Sequence, residues 1–103
     1  NDDLAGATIQ PLQAGYHGSW PLITGQDADK GGLEAIRQGK QAITIFKDPN
    51  ILNAKCVKMV KAVVEGTQPD INDNKNYNNG AITVPAYLCT PLIIDKDNLD
   101  EVK

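Results

Sequence analysis

Two charged residues, Asp27 and Lys47, follow short apolar runs directly and could belong to one polar binding site. Asp27 comes after Pro21-Leu-Ile-Thr-Gly-Gln, and Lys47 comes after Ala42-Ile-Thr-Ile-Phe. Each run precedes a helical pattern, so the two residues occupy equivalent points of consecutive strand–helix units. In open α/β sheets, ligands bind beyond the carboxyl ends of the strands. A shared binding site is therefore one interpretation, and a structural ion pair or two ordinary surface charges are the alternatives.

The elements that would position these residues alternate between strand and helix. This alternation predicts an α/β fold with a mostly parallel sheet flanked by helices. We expect strands at 22–24 and 42–46. Asp29 is the expected N-cap of a helix that Gly39 closes, and Asp48-Pro49 opens another helix that ends near Glu65.

The two ends of the chain are less regular. The pattern from Asp3 predicts a helix capped by Asn1 or Asp2, which Pro11 should kink or end early because proline lacks an amide donor. The composition of residues 67–80 predicts a long irregular loop. Residues 81–94 are extended and contain Pro85 and Pro91, which favours an edge strand or a crossing between bodies. Asp97 is the expected cap of a last helix.

The helix after Pro49 carries an apolar face on which Cys56 lies together with Leu52, Met59, Val60 and Val63. We expect Cys56 to be a reduced core residue. We expect the lysines of the same helix, Lys55, Lys58 and Lys61, to lie on its solvated face. Two cysteines define no disulfide framework, and we expect Cys89 to pack without bonding Cys56. His17 lies in a glycine-flanked loop, so we predict neither a metal site nor a cofactor.

Composition excludes several classes of function. The chain has 103 residues, a net charge of −3 and a pI near 4.9, so it forms one small domain at most and offers no basic patch for nucleic acid. No apolar run approaches the length of a membrane span, and no leader opens the chain. Because Asn1 already begins a helical pattern, we interpret the sequence as a fragment.

Several motifs together resemble the C-terminal third of bacterial sugar-binding proteins that serve ABC transporters. They are Asn1-Asp2-x-x-Ala5-x-x-x-Ile9, Thr24-Gly-Gln-Asp-Ala-Asp29, Thr44-Ile-Phe-Lys47, Glu65-Gly66-x-x-Pro69, Tyr77-x-Asn79-Gly80 and Val84-Pro85-Ala86-Tyr87-Leu88 followed by Thr90-Pro91. The resemblance covers essentially the whole chain and is strongest to the xylose-binding and multiple-monosaccharide-binding types. Each motif alone is weak, and the combination is specific.

The resemblance implies which residues bind the sugar. In this family an Asn, an Asp and a Lys or Gln after three successive strands bond the sugar hydroxyls, and Asn1, Asp27 and Lys47 match those positions. Gln26 is a further candidate beside Asp27. An ionised Asp accepts hydrogen bonds from hydroxyls, a Lys donates, and an Asn amide does both. Trp20 precedes its strand, so we expect it to pack at the end of the sheet opposite the site rather than stack on sugar.

The resemblance also implies the setting of the site. It places the chain in a two-lobed periplasmic-binding-protein type I fold, with residues 1–80 in the C-terminal sugar-binding lobe, 81–94 in the hinge crossing and 95–103 opening a terminal helix. The other lobe would precede Asn1. The implied partners are a monosaccharide of the xylose, glucose, galactose or arabinose type and the transporter permease. The implied location is periplasmic or extracellular, with a lipid anchor in a Gram-positive organism.

Two other functions stay open. A sugar-sensing domain of a transcriptional regulator or a two-component sensor shares the same fold. An enzyme is disfavoured, because the sequence has no nucleophile–base pair, metal cluster or phosphate-binding glycine loop.

Overall fold

The computed structural model describes residues 1–102, in which helices outweigh strands. The regular elements are α1 (Asp2–Gly15), α2 (Lys30–Arg37), β1 (Thr44–Phe46), α3 (Pro49–Val64), β2 (Leu92–Ile94) and a 3-10 helix (Leu99–Glu101). The chain divides into two units. Unit 1 is Asn1–Lys47 together with the segment that begins at Pro91, and unit 2 is Asp48–Thr90. No helix of residues 1–102 has the length and apolarity that a membrane crossing requires.

The sheet of unit 1 brings two segments side by side. Thr24 forms a parallel bridge with Ile43, and the Asp27 amide donates to the Ile45 carbonyl at 2.8 Å. The segment that contains Ile43 continues into β1, and β1 pairs antiparallel with β2, with Thr44 opposite Ile94. The predicted α/β class is confirmed. The strand expected at 22–24 is reduced to the single bridge at Thr24.

Helices α1 and α2 pack against each other in unit 1, whose buried apolar residues are Ala5, Ile9, Ala28, Ile36 and Ile94. Asn1 caps α1 as expected, since its side chain accepts from the Leu4 amide at 3.1 Å. The early end predicted at Pro11 is wrong, because the helix continues to Gly15. Proline has a helical φ, but it lacks an amide donor and crowds the carbonyl four residues earlier. The Asn1 cap and the buried residues Ala5 and Ile9 stabilise the helix against this cost.

The start and the end of α2 follow the prediction. The Asp29 side chain accepts from the Gly32 amide at 2.7 Å, and Gly39 adopts a φ of +69° just beyond the helix. Such a left-handed residue closes a helix most readily when it is glycine.

Helix α3 of unit 2 also has the predicted ends, with Asp48 accepting from the Asn50 amide at 2.8 Å and Gly66 at a φ of +68°. Its predicted buried face is wrong. Cys56 is exposed, and Val60 and Val63 are 57% and 66% exposed. The periodicity that identifies the helix does not reveal what covers its apolar face.

Lys55 of α3 is likewise not the purely solvated lysine that we expected. Its Nζ lies 2.7 Å from the Asp70 carboxylate and 3.5 Å from the centre of the Tyr87 ring. The pKa of Lys55 is raised, chiefly by the hydrogen bond to Asp70. Because it lies over an aromatic face and beside a carboxylate, the ammonium group of Lys55 links α3 to the segment that follows this helix.

Residues 67–80, predicted to be irregular, form isolated bridges with the extended segment that follows them. Asp73 bridges antiparallel to Ala86, and Asn78 bridges to Thr83 around a turn at Asn79-Gly80, where Gly80 has a φ of +91°. Glycine adopts such a positive φ without steric cost, which suits Gly80 to this turn. At the other end of the chain, Asn98 and not the predicted Asp97 precedes the 3-10 helix.

Candidate functional site

Asp27 and Lys47 form a salt bridge at the carboxyl ends of the paired segments. Lys47 Nζ lies 2.9 Å from Asp27 Oδ1, and both side chains are about half exposed, at 44% and 47%. The hydrogen bond from Lys47 lowers the pKa of Asp27, and the side chain of Gln26 lowers it further. The carboxylate is therefore held in its ionised form, as an acceptor.

Asn1 and Gln26 lie beside this pair. The Asp2 amide donates to the Gln26 carbonyl at 2.9 Å, which ties the start of α1 to the residue before Asp27. The side-chain oxygen of Asn1 accepts from the Leu4 amide. Its amide nitrogen remains as a donor. The structure thus brings together all four residues that the sequence singled out, Asn1, Gln26, Asp27 and Lys47.

The turn that carries Asp27 has an unusual backbone. Asp27 has a φ of 98° and Ala28 has a φ of 54°, and these are the two non-glycine residues with positive φ among the described residues. Backbone strain of this kind persists only where the surroundings enforce it, and it concentrates at binding and catalytic sites. Here the enforcing contacts are hydrogen bonds from the Asp27 amide to Ile45 and from the Ala28 amide to the Thr44 hydroxyl at 3.2 Å.

A buried carboxylate, that of Asp2, lies beneath this turn. Asp2 is 3% exposed and accepts from the Thr44 hydroxyl at 2.9 Å, from Gln41 Nε2 at 2.8 Å and from the Asp29 amide at 3.1 Å. Buried charges require such full hydrogen bonding to be tolerated. The Gln41 Oε1 atom, by contrast, is buried without a partner in this part of the chain.

Two glycines make room for the Asp2 carboxylate. A Cβ atom added at Gly25 or at Gly32 would overlap the carboxylate of Asp2. The sequence suggests for Asp2 only roles at the start of α1, as a cap or as a first-turn acid, because nothing local shows that residues 25, 32, 41 and 44 converge on it. The glycines are the one signal that sequence reasoning could have used.

Trp20 lies away from the binding residues. Its Nε1 donates to the Lys40 carbonyl at 2.9 Å, just before the chain enters β1, whereas Lys47 follows the end of the same strand. Trp20 therefore lies at the end of the sheet opposite the site, as expected, but the residue is 39% exposed rather than packed in a core. Among residues 1–102, no three His, Cys, Asp or Glu side chains converge as metal ligands do.

The arrangement at Asp27 and Lys47 suits a ligand with many hydroxyl groups. The carboxylate accepts hydrogen bonds, the ammonium donates them, and the amides of Asn1 and Gln26 add further polar groups at the same edge. Charge-assisted hydrogen bonds are roughly twice as strong as neutral ones. A polyhydroxylated ligand can use all of these groups at once.

Comparison with known proteins defines the class to which this fold and site belong. The family model described as periplasmic binding protein domain matches residues 1–68. The chain belongs to this family, which confirms the resemblance seen in the motifs. The Multiple sugar-binding periplasmic receptor ChvE of Rhizobium radiobacter is 44% identical over 82 residues, which cover 80% of this chain and 23% of that protein. The D-xylose-binding periplasmic protein of Haemophilus influenzae is 39% identical over 101 residues, covering 98% of this chain and 30% of that protein.

Solved structures give the same result. An ABC transporter solute-binding protein from Clostridium phytofermentans with bound β-D-glucose superposes with a TM-score of 0.91 at 42% identity, covering 99% of this chain and 32% of that chain. A carbohydrate transporter solute-binding protein from Chloroflexus aurantiacus in complex with D-glucose gives 0.88 at 31% identity, covering 99% and 29%. The chain therefore spans between about a quarter and a third of the length of these relatives.

Proposed function

We propose that this chain forms part of a receptor that binds a monosaccharide and presents it to the permease of an ABC transporter. The observation that carries the proposal is the Asp27–Lys47 pair at 2.9 Å, flanked by Asn1 and Gln26, in a chain whose relatives are named as sugar-binding receptors. Asp27 accepts from sugar hydroxyls, and Lys47, Asn1 and Gln26 donate. We place the receptor in the periplasm or at the cell surface, where a lipid anchor would hold it in a Gram-positive organism.

The pairing of Asp27 with Lys47 supports binding in a second way. Each side chain restrains the rotamers of the other before a ligand arrives, and a preorganised site loses less conformational freedom on binding. The relatives named above bind sugars and are not described as enzymes, so a binding role is favoured over catalysis. The regulator or sensor alternative uses the same site, and the periplasmic receptors among the relatives favour transport.

The proposed lobe assignment, with residues 1–80 in one sugar-binding lobe, 81–94 in a hinge crossing and 95–103 opening a terminal helix, is a prediction. A crystal structure of the whole protein with sugar bound tests it directly. Residues 1–80 should lie in one lobe, and the opposite wall of the cleft should come from residues that precede Asn1.

Calorimetric titration of the whole protein with D-xylose, D-glucose, D-galactose and L-arabinose tests the proposed function. We expect at least one of them to bind in the micromolar range or tighter. Asp27→Asn should weaken that binding, whereas Asp97→Asn should not. Asp97 is a matched control because it also pairs with a lysine, Lys96, at an exposed position of unit 1. Absence of binding to all four sugars by the wild type would contradict the proposal.

A further inference from the structure

The backbone of the Asp27–Ala28 turn is held from below by one hydroxyl group. Thr44 Oγ1 accepts a hydrogen bond from the Ala28 amide at 3.2 Å and lies 2.9 Å from both carboxylate oxygens of Asp2. A threonine hydroxyl has a single hydrogen. Because the Asp2 carboxylate only accepts hydrogen bonds and the Ala28 amide only donates, that hydrogen points to Asp2. The Ala28 amide, the Thr44 hydroxyl and the Asp2 carboxylate thus form a series of hydrogen bonds in which each group donates to the next.

The same carboxylate also holds the residue after the turn. Asp2 Oδ2 accepts from the Asp29 amide at 3.1 Å. Two consecutive amides, those of Ala28 and Asp29, are therefore fixed by Thr44 and Asp2. Thr44 and Asp2 are 0% and 3% exposed, so water does not compete for these bonds. Neither residue reaches the exposed face where Asp27 meets Lys47.

We infer that Asp2 and Thr44 are positioning residues that preform the sugar-binding turn, an inference that rests on the proposed function. Positive φ at Asp27 and Ala28 is unfavourable for residues with a side chain and reverts when the restraining bonds are lost. If the turn relaxed in the free protein, the Asp27 carboxylate would leave the position in which Lys47 and the ligand meet it. Binding would then require the strained turn to form again, at the expense of affinity.

Two substitutions at Thr44 separate the hydroxyl from the methyl group. Thr44→Val keeps the volume and removes the hydroxyl, which leaves the Ala28 amide and the Asp2 carboxylate each short of a partner. Thr44→Ser keeps the hydroxyl and removes the methyl. In the whole protein we expect Thr44→Val to weaken monosaccharide binding by about tenfold or more. Thr44→Ser should bind within about threefold of the wild type, even if it melts at a lower temperature.

Ile94→Val provides the matched control for stability. Ile94 is fully buried and lies opposite Thr44 in the β1–β2 pair, so its truncation loosens the same core without touching the hydrogen-bond chain. We expect Ile94→Val to lower the melting temperature and to leave the affinity unchanged. Asp2→Asn is a second test of this hydrogen-bond series. The amide nitrogen of the new side chain would face a donor, either Gln41 Nε2 or the Asp29 amide, and one hydrogen bond would be lost. This variant should lose affinity as Thr44→Val does.

Affinities are measured by calorimetry with the sugar that binds the wild type most tightly, at a temperature well below all the melting transitions. Loss of affinity in Thr44→Val, with retention in Thr44→Ser and Ile94→Val, supports the positioning role. Wild-type affinity in a folded Thr44→Val protein overturns it, as does a loss of affinity that simply follows the melting temperature across all the variants. Failure of the wild type to bind any sugar is a different result, which overturns the proposed function and this inference with it.

Discussion

Lys47 Nζ and Asp27 Oδ1 lie 2.9 Å apart although the two residues are twenty positions apart in the chain. They meet because the segment ending at Asp27 bridges in parallel to the segment that leads into β1, so that both chain segments reach the same edge together. An ion pair this exposed adds little to stability, since surface salt bridges are worth at most about 1 kcal/mol. Under the proposed function, its role is to bind the ligand.

Replacing Asp27 should therefore affect binding much more than folding. In the whole protein, we predict that Asp27→Ala weakens monosaccharide binding by about a hundredfold or more, because sugar hydroxyls would be buried without their charged acceptor. Calorimetric titration measures this loss, and thermal melts followed by circular dichroism should stay close to the wild type. Unchanged affinity with an intact melt would show that another residue accepts from the sugar.

The low pKa of Asp27 predicts how binding depends on pH. The hydrogen bond from Lys47 lowers this pKa below its ordinary value of 3.8, so the carboxylate stays ionised through the mildly acidic range. A depressed folded-state pKa contributes stability above the unfolded-state value, and the contribution disappears as the pH falls through the folded value. Affinity and the ion pair should both persist at pH 5 and weaken only below the ordinary range of aspartate.

Carboxyl titration by NMR measures this pKa directly. In Lys47→Met, the Asp27 midpoint should move upward, towards its ordinary value, because the first cause of the shift is gone. An unchanged midpoint in this variant would mean that Lys47 does not pair with Asp27 in solution.

The sequence predicted the exposed part of this site and missed the buried part. Strand ends, caps and glycines are local signals, so the positions of Asp27, Lys47, Asp29 and Asp48 could be predicted. The roles of Asp2 and Thr44 could not, because their hydrogen bonds join residues 16 to 42 positions apart. The same limit explains Cys56. The helical periodicity around Cys56 correctly predicted α3, but periodicity does not show which partner covers the apolar face of a helix.

The isolated 103-residue chain should bind sugar weakly or not at all. It contributes the polar groups of one wall, and small-ligand sites gain their affinity by enclosing most of the ligand surface. Calorimetry with D-xylose, D-glucose and D-galactose, run beside the whole protein, measures the difference. Micromolar binding by the chain alone would show that the site is complete within these residues.

Asp73 should control the order of the loop in unit 2. Its carboxylate accepts from the Lys75 amide at 2.9 Å and from the amide and side chain of Asn76 at 3.1 and 2.7 Å, and these bonds lower its pKa. Asp73→Ala should therefore increase the rate of limited proteolysis between residues 67 and 90. Asn74→Ala, at an exposed neighbouring position, is the control and should leave that rate unchanged. Equal rates in both variants would contradict a structural role for the Asp73 carboxylate.

Two adjacent glycines of α2 should respond oppositely to alanine. In an exposed helix, Gly→Ala usually stabilises by about 0.5–1 kcal/mol, because glycine loses more backbone freedom on folding. Gly31 is exposed, and a Cβ there approaches only the side chain of Asp29, at 3.3 Å, so Gly31→Ala should be neutral or mildly stabilising. A Cβ at Gly32 overlaps the buried Asp2 carboxylate, and Gly32→Ala should destabilise by about 1–3 kcal/mol through overpacking. Urea unfolding of the whole protein and both variants compares them, and equal stability would show that Asp2 is not held against this helix.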